Sequence, residues 1–218
     1  LGQDSRASGD SSVAVGEGAE AGTAGFWIFP GNDNATAVGQ DASARSENSS
    51  AFGQNANAST LGEGATALGQ DANASSLAGG NTAVGQGANA ASWFGAATAV
   101  GRNAEASGEF GSTALGEDSV ASGSQSTALG ESSIASGDES TAVGEDSEAS
   151  GDGATALGNN SYADGRFATA VGADSSAEGN NSTAVGRNSE ARDDGTAAFG
   201  EGAKAKGYES TALGRKSD

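Results

Sequence analysis

One fourteen-residue phrase repeats seven times without a slip between Leu115 and Leu213. Its clearest form is Ser-Thr-Ala-Leu-Gly or Ser-Thr-Ala-Val-Gly, with apolar anchors at Leu115, Leu129, Val143, Leu157, Val171, Val185, Phe199 and Leu213. A fixed period far shorter than a globular domain means that one small supersecondary unit is stacked on copies of itself. The spacing therefore predicts a single elongated body over residues 1–218 in place of separate compact lobes. Toward the N-terminus the anchors continue as Val100, Val84, Leu68, Phe52, Val38, Val15 and Leu1. Read from Leu1, the intervals are 14, 23, 14, 16, 16, 16 and 15 before the regular series begins. Residues 15–115 thus hold the irregular turns, with an apolar insertion near 23–31, and 115–213 hold the regular ones.

Numbering each turn from its anchor as zero exposes the local structure. Position +1 is Gly at every anchor, as at Gly16, Gly144 and Gly214, which suits a tight corner with positive φ or close backbone approach. Position +4 is Ser or Ala and +6 is Ala, as in Ser147 and Ala149, whereas +5 varies freely through Glu20, Val120, Ile134, Tyr162 and Lys204. Small and free residues alternating over four positions have the period of a half-buried strand, not of a helix. The second strand is Thr-Ala-Val at −2, −1 and 0. Two short strands per turn, each stacked on its equivalent, predict an all-β parallel roll of about fourteen turns.

We assign Thr and the anchor to the inside of the roll, together with +4 and +6. On that assignment Ala at −1 faces outward, yet it never varies, from Ala14 through Ala142 to Ala212. A strand restricted on both faces is expected to be buried on both. Ala114, Ala128, Ala142, Ala156, Ala170, Ala184 and Ala198 are accordingly the expected contact with another copy of the chain. The expected thinness of the core points the same way, since each turn offers about one Val or Leu.

The phrase in residues 140–151 reads Ser-Thr-Ala-Val-Gly, two acidic residues, Ser, a free position, Ala, Ser and Gly. It resembles the head-domain repeat of trimeric autotransporter adhesins, the Yersinia-adhesin-like (YadA-like) heads, and the resemblance covers nearly the whole chain. What it implies is a left-handed parallel β-roll assembled as a homotrimer on the extracellular face of the bacterial outer membrane. It further implies adhesion to a host matrix protein such as collagen, or to another surface. This chain uses Thr at −2 where the family phrase has a second large aliphatic, Val13 excepted.

Composition narrows the partners. The formal net charge is −19, and there is no Cys, His or Met. That balance argues against nucleic acid and anionic membrane surfaces, both of which would repel the chain. No apolar run approaches the roughly 18 residues that a membrane span needs. The chain opens and closes within repeats, as expected of a segment cut from a longer protein.

Two apolar clusters are candidate ligand contacts. The 23-residue interval carries Phe26, Trp27, Ile28 and Phe29, the densest such cluster in the chain. They form either an exposed patch for a partner or a loop folded over a neighbouring subunit or the edge of the roll, and the burial preference of large apolar residues favours the second. In the three widened turns, position +9 is Leu61, Leu77 and Trp93, with Phe94 and Phe110 at the same corner. They form either a lateral contact line or a secondary core sealing the corner, again favoured by burial preference.

Three further classes of function have candidate residues in the chain. Acidic residues at +2 and +3, such as Glu117, Asp118, Glu145 and Asp146, are calcium candidates, but the nine-residue calcium-roll phrase is absent and solvated corners are the expected reading. Exposed carboxylates without His, Cys or a pocket-forming constellation give no catalytic arrangement, so neither an enzyme nor a cofactor is expected. The Thr column, including Thr113, Thr127, Thr141 and Thr155, would suit ice binding if it formed a flat outward array. It is expected inside, its hydroxyls capping backbone. A phage-fibre-like structural spacer without a ligand is the main alternative to adhesion.

Overall fold

A computed structural model describes residues 1–22, 34–62, 64–77 and 79–218. Every regular element among them is a strand, and neighbouring strands run parallel. The chain divides into two compact units, Leu1–Ser112 and Thr113–Asp218, and the division falls where the irregular spacing ends.

In the first unit the anchors lie on six three-residue strands, Val13–Val15, Thr36–Val38, Ser50–Phe52, Thr66–Leu68, Thr82–Val84 and Thr98–Val100. The return strands are Arg6–Ala7, Glu20–Ala21, Ser43–Ala44, Asn89–Ala90 and Glu105–Ala106, and Asn57 and Asn73 carry the ladder from Ser43 to Asn89 as single bridges. In the second unit eight anchor strands run from Thr113–Leu115 to Thr211–Leu213, and the return strands from Val120–Ala121 to Lys204–Ala205. The register is set by the repeat: Thr141 pairs with Thr155, Ala142 with Ala156 and Val143 with Leu157. Backbone groups are satisfied by the turns above and below, as where Gly144 N donates to Leu129 O at 2.8 Å and Thr141 N to Ala154 O at 2.9 Å.

The corners explain why polar residues crowd there. Position +3 has a left-handed backbone, as at Asp118 (φ 54), Asp146 (φ 54), Asn160 (φ 57) and Asp174 (φ 56). Asn, Asp and Gly tolerate this region best, so the acidic corners answer to conformation as well as to solubility. Position +1 requires glycine for two reasons. Its φ lies between 118° and 146°, and at most rungs a Cβ would run into the carbonyl of the next Gly in the column.

The faces of the anchor strands are the reverse of the expected ones. Ala114 has no accessible surface in the single chain, whereas Leu115 beside it is 38% exposed. The same holds from rung to rung: Ala at −1 joins +4, +6 and the Ser or Ala at −3 inside the roll, and Thr and the anchor point outward, half-buried or exposed. Ala114, Ala128, Ala142, Ala156, Ala170, Ala184 and Ala198 therefore fill the interior of their own chain and offer no surface to another. The physical reason is width: the two sheets of one turn close so tightly that Ala, Ser and an occasional Thr or Asn are the interior residues, and Val or Leu is the outward one.

The interior hydroxyls are tied down locally. Ser147 Oγ donates to Gly144 O at 2.8 Å, and Ser119, Ser133, Ser161, Ser175 and Ser189 repeat the bond. Backbone capping expected of the Thr column is thus done by Ser at +4. Asn81, the largest fully buried side chain, is satisfied by donating to Ala90 O at 2.7 Å and accepting from Ala97 N at 2.9 Å.

Candidate functional site

Two surfaces stand out. The first is the outward face of the anchor strands, present on each unit separately. Its columns are Thr at −2, with Val13, Ser50 and Ala197 as exceptions, and Val, Leu or Phe at 0, with Val15, Phe52, Leu68 and Val100 exposed on the first unit and Leu115, Leu157 and Phe199 on the second. A continuous, in-register apolar column of this kind is what a soluble chain rarely leaves in water.

The second surface lies wholly in the first unit, at the corner widened by the 16-residue turns. Leu61 is 85% exposed and Trp93 61%, and Leu77, Phe94 and Phe110 are exposed as well. The rings of Phe94 and Phe110 stack at 5.6 Å between centroids, but these residues form no sealed core within one chain. Among the described residues the +9 side chains close no secondary core within one chain, each standing exposed at the corner that the two extra residues per turn widen. Between Leu77 and Trp93 runs a groove of about 320 Å³ floored by Ser59, Ser75 and Ala91.

Beside that floor the return-strand face carries an amide ladder. Asn57 Nδ2 donates to Asn73 Oδ1 at 3.3 Å, and Asn73 Nδ2 to Asn89 Oδ1 at 3.0 Å. Ser43 and Ser59 hydroxyls meet at 3.0 Å, which places +5 and +7 on one face. The sequence reading missed both ladder and floor. The signal was available, since the free +5 position is Asn in three consecutive turns of equal length. Phe26, Trp27, Ile28 and Phe29 lie outside the described residues.

Elsewhere on the return-strand face, charges pair across rungs. Arg45 Nε donates to Glu20 Oε2 at 2.7 Å, and Glu190 is held by Lys204 and by Arg192 Nη2 at 2.8 Å. Burial, followed by the carboxylates of Glu148 and Glu178, raises the pKa of Asp164 against a hydrogen bond from Ser150 that lowers it. The hydrogen bond from Lys204 is the main cause of a lowered pKa at Glu190. Among the described residues, no three acidic side chains converge as metal ligands, and no helix is long and apolar enough to cross a membrane.

These features define the class: a parallel β-solenoid repeat protein whose anchor strands leave an uncovered apolar face on each unit. The YadA head domain repeat matches residues 1–21, 32–60, 61–77, 96–116, 110–133, 135–161, 163–189 and 194–217. The chain belongs to this family and is a YadA-like head domain of the trimeric autotransporter adhesin type. Comparison with curated protein sequences finds no match.

Proposed function

We propose that this chain is the adhesive head of a homotrimer held on the extracellular face of a bacterial outer membrane, binding a host matrix protein or another surface. The observation that carries the reading is the in-register column of Val, Leu and Phe left open on each unit of a YadA-family repeat. Covering that column with sister subunits removes apolar area from water at about 25 cal/mol per Å². The anchors take the interface role expected of the alanines. Contact with a surface then falls to side chains away from the trimer axis, for which Phe26, Trp27, Ile28 and Phe29 and the corner residues Leu61, Leu77, Trp93 and Phe94 are the candidates. Three copies in one assembly strengthen weak contacts by avidity. No reaction, cofactor or metal enters this reading.

Light scattering tests the assembly: the expected mass is three times the 20.8 kDa of one chain, and a folded monomer sinks the proposal. Deleting residues 23–31 tests the role of the insertion. Weaker surface binding at unchanged mass supports a binding loop, whereas a spacer would be indifferent to the deletion.

The outward Thr column favours one second reading. Thr113, Thr127, Thr141 and Thr155 share the open face with the anchors, so a chain that kept this face free would present a regular array of hydroxyls and methyls. Thermal hysteresis by a monomeric chain would move the function to ice binding. A trimer without hysteresis ends that reading.

A further inference from the structure

We propose that the groove between Leu77 and Trp93 is a binding site for an uncharged carbohydrate, one sugar-binding groove per chain. This inference rests on the adhesion reading and names the chemistry of one of its ligands.

The first support is the absence of charge. Across the three widened turns, positions +5, +7, +8 and +9 are Asn57, Ser59, Thr60 and Leu61, then Asn73, Ser75, Ser76 and Leu77, then Asn89, Ala91, Ser92 and Trp93, of which Ser92 is buried. Rungs to either side in the same unit carry Glu20, Arg45 and Glu47, and Glu105 and Glu109. In a chain of net charge −19, the lining of this groove offers no carboxylate to a cationic peptide, Glu109 lying on the other side of Trp93. It also offers no cation to an acidic ligand, which the surrounding field repels. An uncharged ligand loses nothing on either account.

The second support is the kind of polar group present. Sugar hydroxyls both donate and accept, and so do Ser hydroxyls and Asn amides. Asn73 gives one N–H to Asn89 and one oxygen lone pair to Asn57, while within the ladder Asn57 only donates and Asn89 only accepts, so each side chain keeps at least one further donor and acceptor valence. The third support is shape. Trp93 presents a large aromatic surface, 61% exposed, along a groove of about 320 Å³, near the lower end of the range for small-ligand sites. An indole face stacks on the apolar C–H face of a pyranose while the floor takes its hydroxyls.

An extended peptide added as a strand is disfavoured here, because the backbone of these rungs is already paired on both sides. Asn73 N donates to Ala88 O, and Ala74 N to Asn57 O, each at 2.8 Å. A sister subunit covering the ridge is the remaining occupant, and the experiment separates it.

The chain has two tryptophans, so Trp27→Phe leaves Trp93 as the sole indole fluorophore. The full chain with this substitution is titrated with neutral hexasaccharides of glucose and N-acetylglucosamine in several linkages, and with an oligogalacturonate as the anionic counterpart. The expected result is a saturable change in Trp93 fluorescence with at least one neutral oligosaccharide, at a Kd on the order of 1 mM or tighter, and roughly tenfold weaker binding of the uronate. Followed by calorimetry, Trp93→Ala and Asn73→Asp are each expected to weaken that binding roughly tenfold or more, with circular dichroism and solution mass unchanged. The proposal is overturned if no neutral oligosaccharide perturbs Trp93, or if binding survives Trp93→Ala. It is also overturned if Trp93→Ala lowers the solution mass, which would assign the ridge to subunit contact. Failure of the broader adhesion reading shows separately, as a folded monomer in the parent chain.

Discussion

The carbonyl oxygen of Gly144 lies 2.5 Å from where a Cβ on Gly130 would stand, and Gly130 has φ 138°. The contact recurs along the +1 column because each turn is docked on the next through these glycines. Gly130→Ala is expected to combine a strained φ with a backbone clash, costing about 2–5 kcal/mol. Urea unfolding checks this, and a loss below about 1 kcal/mol would show that the turns are not held this close.

The inversion of the anchor strand is testable by size alone. Val143 shares its outward position with Phe52 and Phe199, so a larger ring is already accommodated in this column and Val143→Phe is expected to cost less than Ala142→Val. Ala142 has no accessible surface, and Ala142→Val is expected to cost about 1–3 kcal/mol or more through overpacking. Denaturation midpoints in the opposite order would return the alanines to the outside.

Interior hydroxyls divide into satisfied and unsatisfied. Ser126 Oγ donates to Gly123 O at 2.7 Å, while Ser140 Oγ and Ser182 Oγ are buried with no partner. Ser126→Ala should lose about 1 kcal/mol. Ser140→Ala should be neutral or stabilising, since it removes an unsatisfied polar group and the equivalent position on the next rung is already Ala154. Equal losses at the two sites, measured by thermal unfolding, would contradict the assignment.

Two carboxylates on the return-strand face give stability of opposite sign with pH. Asp164 is raised above the ordinary 3.8 by burial and by Glu148 and Glu178, so its ionised form is disfavoured in the fold. That destabilisation is fully present above the folded pKa and disappears below 3.8. Asp164→Asn is therefore expected to stabilise at neutral pH and to lose its advantage in acid. Glu190, lowered chiefly by the Lys204 hydrogen bond, contributes stability present above 4.5 and lost as pH falls through its folded value. Glu190→Gln should weaken the fold at neutral pH by less than about 1 kcal/mol, as for surface pairs. Paired urea titrations at neutral pH and below 3.8 check both signs.

How far the sequence could be read depends on the kind of question. A period of fourteen and an alternation of two determined the stacked turns, the parallel register, the glycine corners and the family, because each depends only on which positions repeat. Alternation has no absolute phase: it says that Ala142 and Val143 face opposite ways, not which way is in. Hydrophobicity argued for Val143 inside, and only the closeness of the two sheets decided for Ala142, since at this position the gap is filled by a methyl group. For the same reason the corner at Leu77 and Trp93 could be located in the chain, yet its exposure, and the groove between the two, came from how far two added residues carry a side chain past the edge of the roll.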